Sequence, residues 1–96
     1  MPTTLNIPNC DVAIMARIIK PERGDLSLAA ARSILKLGFE EADHERMHIL
    51  LQKGNAGTLT AKEEKELGDY ERIGHLLDMM HSKARKALKN RKRTSA

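Results

Sequence analysis

The feature that most constrains this chain is a run of apolar residues near its C-terminal end, spaced three and four apart. Tyr70, Ile73, Leu77, Met80, Ala84 and Ala87 recur at intervals of 3, 4, 3, 4 and 3. At 3.6 residues per turn only an α-helix lines up such positions on one stripe. The alternation is that of a coiled-coil seam. Directly upstream, Thr60 and Glu63 form a capping box, in which each side chain satisfies a backbone N–H of the first turn. Together they predict a long helix from about Ala61 to Leu88. Leu67, Leu76, Met79 and Leu88 broaden the stripe, so the helix carries more apolar surface than one neighbour needs. Gly68 and Gly74 weaken it by about 1 kcal/mol each against alanine, and they permit close backbone approach.

Weaker patterns precede it. Residues 40–53 read as a helix with Glu40, Glu41, Asp43 and Glu45 at its start and Lys53 at its end, the order a helix dipole favours. Met47, Leu50 and Leu51 form its apolar face, and Gly54, Asn55 and Gly57 end it. Ser27 caps a helix over Leu28–Leu37 with Leu28, Ala31, Ile34 and Leu35 on its stripe and Leu37 at its edge. Gly38 is expected to close that helix in a left-handed conformation. Residues 11–19 form a short helix on Val12, Met15 and Ile19, widened by Ile14 and Ile18, and Pro21 and Gly24 end it. Residues 1–9, with Pro2 and Pro8, read as an extended arm. The expected fold is all-α: a long C-terminal helix with two or three shorter helices packed on it. Residues 1–25 form an N-terminal arm with a short helix, 26–89 a helical domain and 90–96 a basic tail.

Ninety-six residues allow one small domain with a modest core, which self-association would help. The broad seam of the long helix therefore predicts a homodimer, with Tyr70, Ile73, Leu77, Met80 and Ala84 at the interface. No apolar stretch approaches the roughly 20 residues of a membrane span. The first ten residues lack the basic start and apolar run of a secretory signal. Cys10 is the single cysteine, so no intrachain disulfide forms. A cytoplasmic protein is expected.

Charge is distributed unevenly. Lys83, Arg85, Lys86, Lys89, Arg91, Lys92 and Arg93 follow one another with no acid among them, whereas residues 1–82 hold the other ten bases and all 13 acids. Cations at a helix C-terminus suit its dipole without any partner. The same strip could bind DNA or RNA through phosphate contacts, with strong salt dependence and little base reading. One Phe, one Tyr and no Trp leave few platforms for stacking on single strands.

Residues 44–48 read His44-Glu45-Arg46-Met47-His48, the H-E-x-x-H pattern. On a helix its histidines face one way and could bind zinc, with the glutamate activating a bound water. A metallopeptidase also needs a third ligand and a cleft with an edge strand, and this chain offers no candidate strand. We therefore expect no metal, no cofactor and no catalysis, with His44, Glu45 and His48 on a solvated face. Glu63, Glu64, Glu66, Asp69 and Glu71 are read the same way, as acids suited to the first half of a helix. No phosphate-binding glycine loop is present.

The segment 57–89 also resembles a family of small uncharacterised bacterial helical proteins. The resemblance rests on Gly57 to Thr60, Glu63, Glu64, Glu66, Leu67, Tyr70, Leu76, Leu77 and Ser82 to Arg85, with Ala31–Phe39 and Arg46-Met47 upstream. Such proteins are often encoded beside an HNH-type endonuclease. The resemblance implies a nuclease partner and an antitoxin-like or accessory role. It supplies no catalytic residue.

Overall fold

The structure is a computed structural model that describes residues 10–94, with side chains as far as Asn90. It is all-α, with four helices and no strand among the described residues. They are α1 (Asp11–Ile19), α2 (Leu28–Leu35), α3 (Glu41–Ala56) and α4 (Ala61–Thr94). The three short helices each pack on α4, and among the described residues none packs on another. Helix α4 is thus the spine that the seam predicts.

The ends of the elements follow local chemistry. Glu63 N–H donates to Thr60 Oγ1 at 3.1 Å and Thr60 N–H donates to Glu63 Oε1 at 3.0 Å, which completes the capping box. Ser27 Oγ accepts from Ala30 N–H at 3.1 Å. Gly57 closes α3 in the left-handed region, at φ 72°. Gly54 and Asn55 lie inside the helix instead of ending it. Helix α2 stops two residues early, at Leu35, and Lys36 caps it in a right-handed conformation, so Gly38 takes no part. Lys20 ends α1 at φ 52°, with its N–H bonded to Ala16 O. The following Pro21 disfavours a further right-handed turn there. Helix α4 continues past Leu88 to Thr94, so the basic segment is helical where a loose tail was expected. The arm predicted for residues 1–9 lies outside the described residues. Residues 11–25 belong to the folded body, because α1 packs on α4.

Side-chain pairs fix how the short helices run. Asp11 meets Arg72 and Lys20 O meets Lys83, so α1 runs parallel to the second half of α4. Gly24 lies against the backbone of Lys86 and Ala87, while Leu37 O accepts from His81 Nε2 at 2.8 Å. Helix α2 between them therefore runs antiparallel to α4. Asp43, Arg46 and Lys53 meet Tyr70, Glu66 and Glu63 in turn, so α3 returns antiparallel along the first half. The result is a slab of 54 × 46 × 17 Å. Thirty-four residues at 1.5 Å each make α4 about 51 Å long, which sets the longest axis.

The core is thin. Ala31, Ala84 and Ala87 are buried together where α2 meets α4, flanked by Leu26, Ile34, Leu35 and Leu88. Leu50 on α3 is the one large side chain among the described residues that is fully buried. Alanine contributes little apolar area, so the small residues serve mainly to bring α2 close to α4.

Candidate protein-docking face

Four elements build an apolar face around the middle of α4. Helices α1 and α2 sit side by side on α4, α1 starting at Arg72, with their backbones held apart. The gap is a cleft of about 340 Å³ between Met15, Ile18 and Ile19 of α1, Ile34 of α2, and Met80 and Lys83 of α4. A second pocket, of about 300 Å³, lies between Phe39, Asp43, Glu66, Asp69, Tyr70 and Ile73. Ile73 and Met80 are seven residues apart, two helical turns, so both hollows open along the same stripe of α4. The ion pair of Arg72 with Asp11, at 3.2 Å, places the start of α1 next to Ile73.

Large aliphatic side chains remain in solvent here. Ile18 is 66% exposed, Ile73 46% and Ile14 38%. Ile14 and Ile18 are one turn apart on α1, so they form a single apolar edge. A scattered exposed isoleucine needs no explanation, but a set of them beside two apolar hollows is a candidate for an interaction surface.

The second pocket is braced by polar contacts. Tyr70 Oη donates to Asp43 Oδ1 at 2.8 Å, which raises the phenol pKa by favouring its protonated form. Phe39 stands edge-on to Tyr70, with ring centroids 5.7 Å apart. Arg46 grips Glu66 with both arms, Nε to Oε2 at 2.7 Å and Nη2 to Oε1 at 2.8 Å. That contact lowers the pKa of Glu66 and raises that of Arg46. Lys53 Nζ donates to Glu63 Oε2 at 2.6 Å. With the Thr60 N–H, Lys53 holds the Glu63 carboxyl at about 2.

The expected interface residues divide into two groups. Tyr70 and Ile73 line the second pocket and Met80 lines the cleft, while Leu77 lines a third hollow beside Gly38, Phe39 and His44. Ala84 does not: it is fully buried against α2 of the same chain, where its small side chain admits the neighbouring helix. The folded chain itself therefore covers the C-terminal end of the seam.

The expected basic strip divides as well. Lys83 is largely buried, with its side chain 13% exposed. It bonds Asp25 Oδ1 at 2.5 Å and Arg23 O at 3.0 Å, and it holds the Asp25 carboxyl below its ordinary pKa. Lys86 Nζ reaches Glu22 O at 3.4 Å. Both lysines tie down the loop between α1 and α2, a role that only the fold could reveal. Arg85 and Lys89 are exposed. The side chains of Arg91, Lys92 and Arg93 lie outside the described residues.

His44, Glu45 and His48 are exposed along α3, and His44 stands edge-on to Phe39 at 6.0 Å. Among the described residues no group of three or more His, Cys, Asp or Glu side chains is placed to hold a metal ion. Among the same residues no helix is long and apolar enough to cross a membrane. Sequence reasoning missed α1 as part of the site. Its signal was the pair Ile14 and Ile18, which widen the stripe beyond what contact with α4 requires. No protein-family model matches the chain, and comparison with curated proteins and with solved structures finds no similar protein.

Proposed function

We propose that this chain is a non-enzymatic interaction protein that works through helix-mediated protein–protein contact. The observation that carries the reading is the uncovered apolar face of α1 and α4, set beside a core of three alanines and one leucine. A domain that buries so little leaves part of its apolar stripe for a partner. The family resemblance makes that partner a nuclease, with this chain acting as antitoxin or accessory subunit. Its acidic half, α3 and the start of α4, suits a basic nucleic-acid groove, since opposite potentials speed and orient docking. The test is co-expression with an HNH-type nuclease of the kind often encoded beside the proteins that the chain resembles. Co-purification of the two, lost on Ile18→Asp, is the expected result. Co-purification that Ile18→Asp leaves intact would overturn this face as the docking site.

A second reading, DNA or RNA binding through the C-terminal strip, draws on Arg85 and Lys89, which are exposed on α4. Lys83 and Lys86 bear less on it, because they hold the loop before α2. Deleting residues 89–96 should then flatten the dependence of DNA affinity on log salt by about one unit per lost phosphate contact. An unchanged slope would remove the strip from the mechanism.

A further inference from the structure

The fold turns an uneven sequence into a molecule with two charged ends. Residues 38–77 hold nine acids and five bases, and they make up α3 and the first half of α4. The remaining residues hold four acids and twelve bases. Those of them in α1, α2 and the loop between pack on the second half of α4. One end of the spine is thus acidic and the other basic, with the apolar face between them. Two copies laid antiparallel would bring each acidic end against a basic one, and two laid parallel would set like against like.

Two apolar surfaces flank the middle of the spine. One is the pocket at Phe39, Tyr70 and Ile73. The other is the edge of α1, through Ile14 and Ile18.

We infer that a second copy of this chain docks antiparallel on this face, each copy seating Ile14 and Ile18 against Phe39, Tyr70 and Ile73 of the other. The inference rests on the reading of this face as a protein-docking surface and makes a second copy, in place of the nuclease, its occupant in the purified chain. The contact is isologous: what one copy gives, it also receives. Because Ile18 is two-thirds exposed, changing it leaves the packing within the chain intact.

Sedimentation equilibrium of the full chain, from low to high micromolar, is the first measurement. A dimer that weakens several-fold as salt rises from 0.05 to 0.5 M is expected. Ile18→Asp and Ile73→Lys should each weaken it by roughly 100-fold, since each forces a charge into an apolar pocket twice per dimer. Circular dichroism should show both variants still helical. The decisive step mixes the two variants. One contact in the mixed pair is then native and the other sets Asp against Lys, so the mixture should recover dimer that neither variant forms alone. A mixture that stays monomeric overturns the reciprocal contact. So does a wild type that is monomeric at high micromolar concentration. If the nuclease still co-purifies with that wild type and is lost on Ile18→Asp, the docking face stands and only the second copy is refuted.

Discussion

The two halves of α4 are covered by opposite kinds of chemistry. Along the second half, α2 lies close because Ala31, Ala84 and Ala87 present no bulk, and Gly24 brings the preceding loop against the backbone of Lys86 and Ala87. Along the first half, α3 is held by Arg46 to Glu66, Lys53 to Glu63 and Tyr70 to Asp43, around a single buried leucine. Close packing of small side chains is indifferent to pH and salt, although the Lys83–Asp25 pair that ties down the neighbouring loop is not. A latch of half-exposed charges is sensitive to both. The halves should therefore come apart under different insults, even though they share one helix.

The largest effect is expected at Leu50. Leu50→Ala empties the only fully buried large side chain described in the first half and should cost about 2–5 kcal/mol in denaturant unfolding. A cost below that of a surface change would mean that α3 is held by its charges alone. Next comes Gly24→Ala. A Cβ at Gly24 would lie 2.7 Å from Lys86 C and 2.8 Å from Ala87 N, both backbone atoms that cannot swing aside. Overpacking of this kind costs about 1–3 kcal/mol, and here it should loosen the α1–α2 loop while sparing α3. Equal loss in both halves would show that they are not separable.

These elements also mark how far the sequence could be read. Thr60, Glu63, Ser27 and Gly57 announce their roles because caps and left-handed turns depend on residues within one turn. The long helix shows in its 3-4 spacing for the same local reason. The latch was hidden, because Arg46 meets Glu66 and Tyr70 meets Asp43 across 20 and 27 residues, and nothing local pairs them. The alanine core was hidden too, since alanine is a weak hydrophobe and its value here is the room that it leaves. Lys83 looked like part of a solvated strip, yet it binds loop carbonyls 60 residues away. The proposed docking face was half visible: the seam gave Ile73 and Met80, while the contribution of α1 depended on where that helix lies.

Acid should act on the latch next. The folded pKa of Glu63 is about 2 against an ordinary 4.5, and that of Glu66 is also depressed. A carboxyl depressed on folding stabilises above its unfolded pKa, and that contribution is lost as pH falls through the folded value. Stability should thus be level above about pH 5 and decline from there towards pH 2. The decline should be shallower in Glu63→Gln, measured by thermal unfolding across that range. A parallel decline in the variant would take Glu63 out of the latch. The smallest effect should come from Arg46→Met, which removes one partner of a pair that water already reaches. It should lower the melting midpoint by less than either packing change, and the loss should shrink in high salt.

Residue-resolved hydrogen exchange at pH 6 and pH 3 puts the contrast to its most direct test. The amides of α3 and of residues 61–70 should lose most of their protection at pH 3, once the intrinsic exchange rate is allowed for. Those of α2 and residues 80–88 should keep more of theirs, because Ala31, Ala84 and Ala87 pack as an apolar cluster and the acid-sensitive pair beside them, Lys83 with Asp25, holds the loop before α2 and not α2 itself. A uniform loss along all of α4, or a loss that begins at α2, would contradict the division of the molecule into a packed half and a latched one.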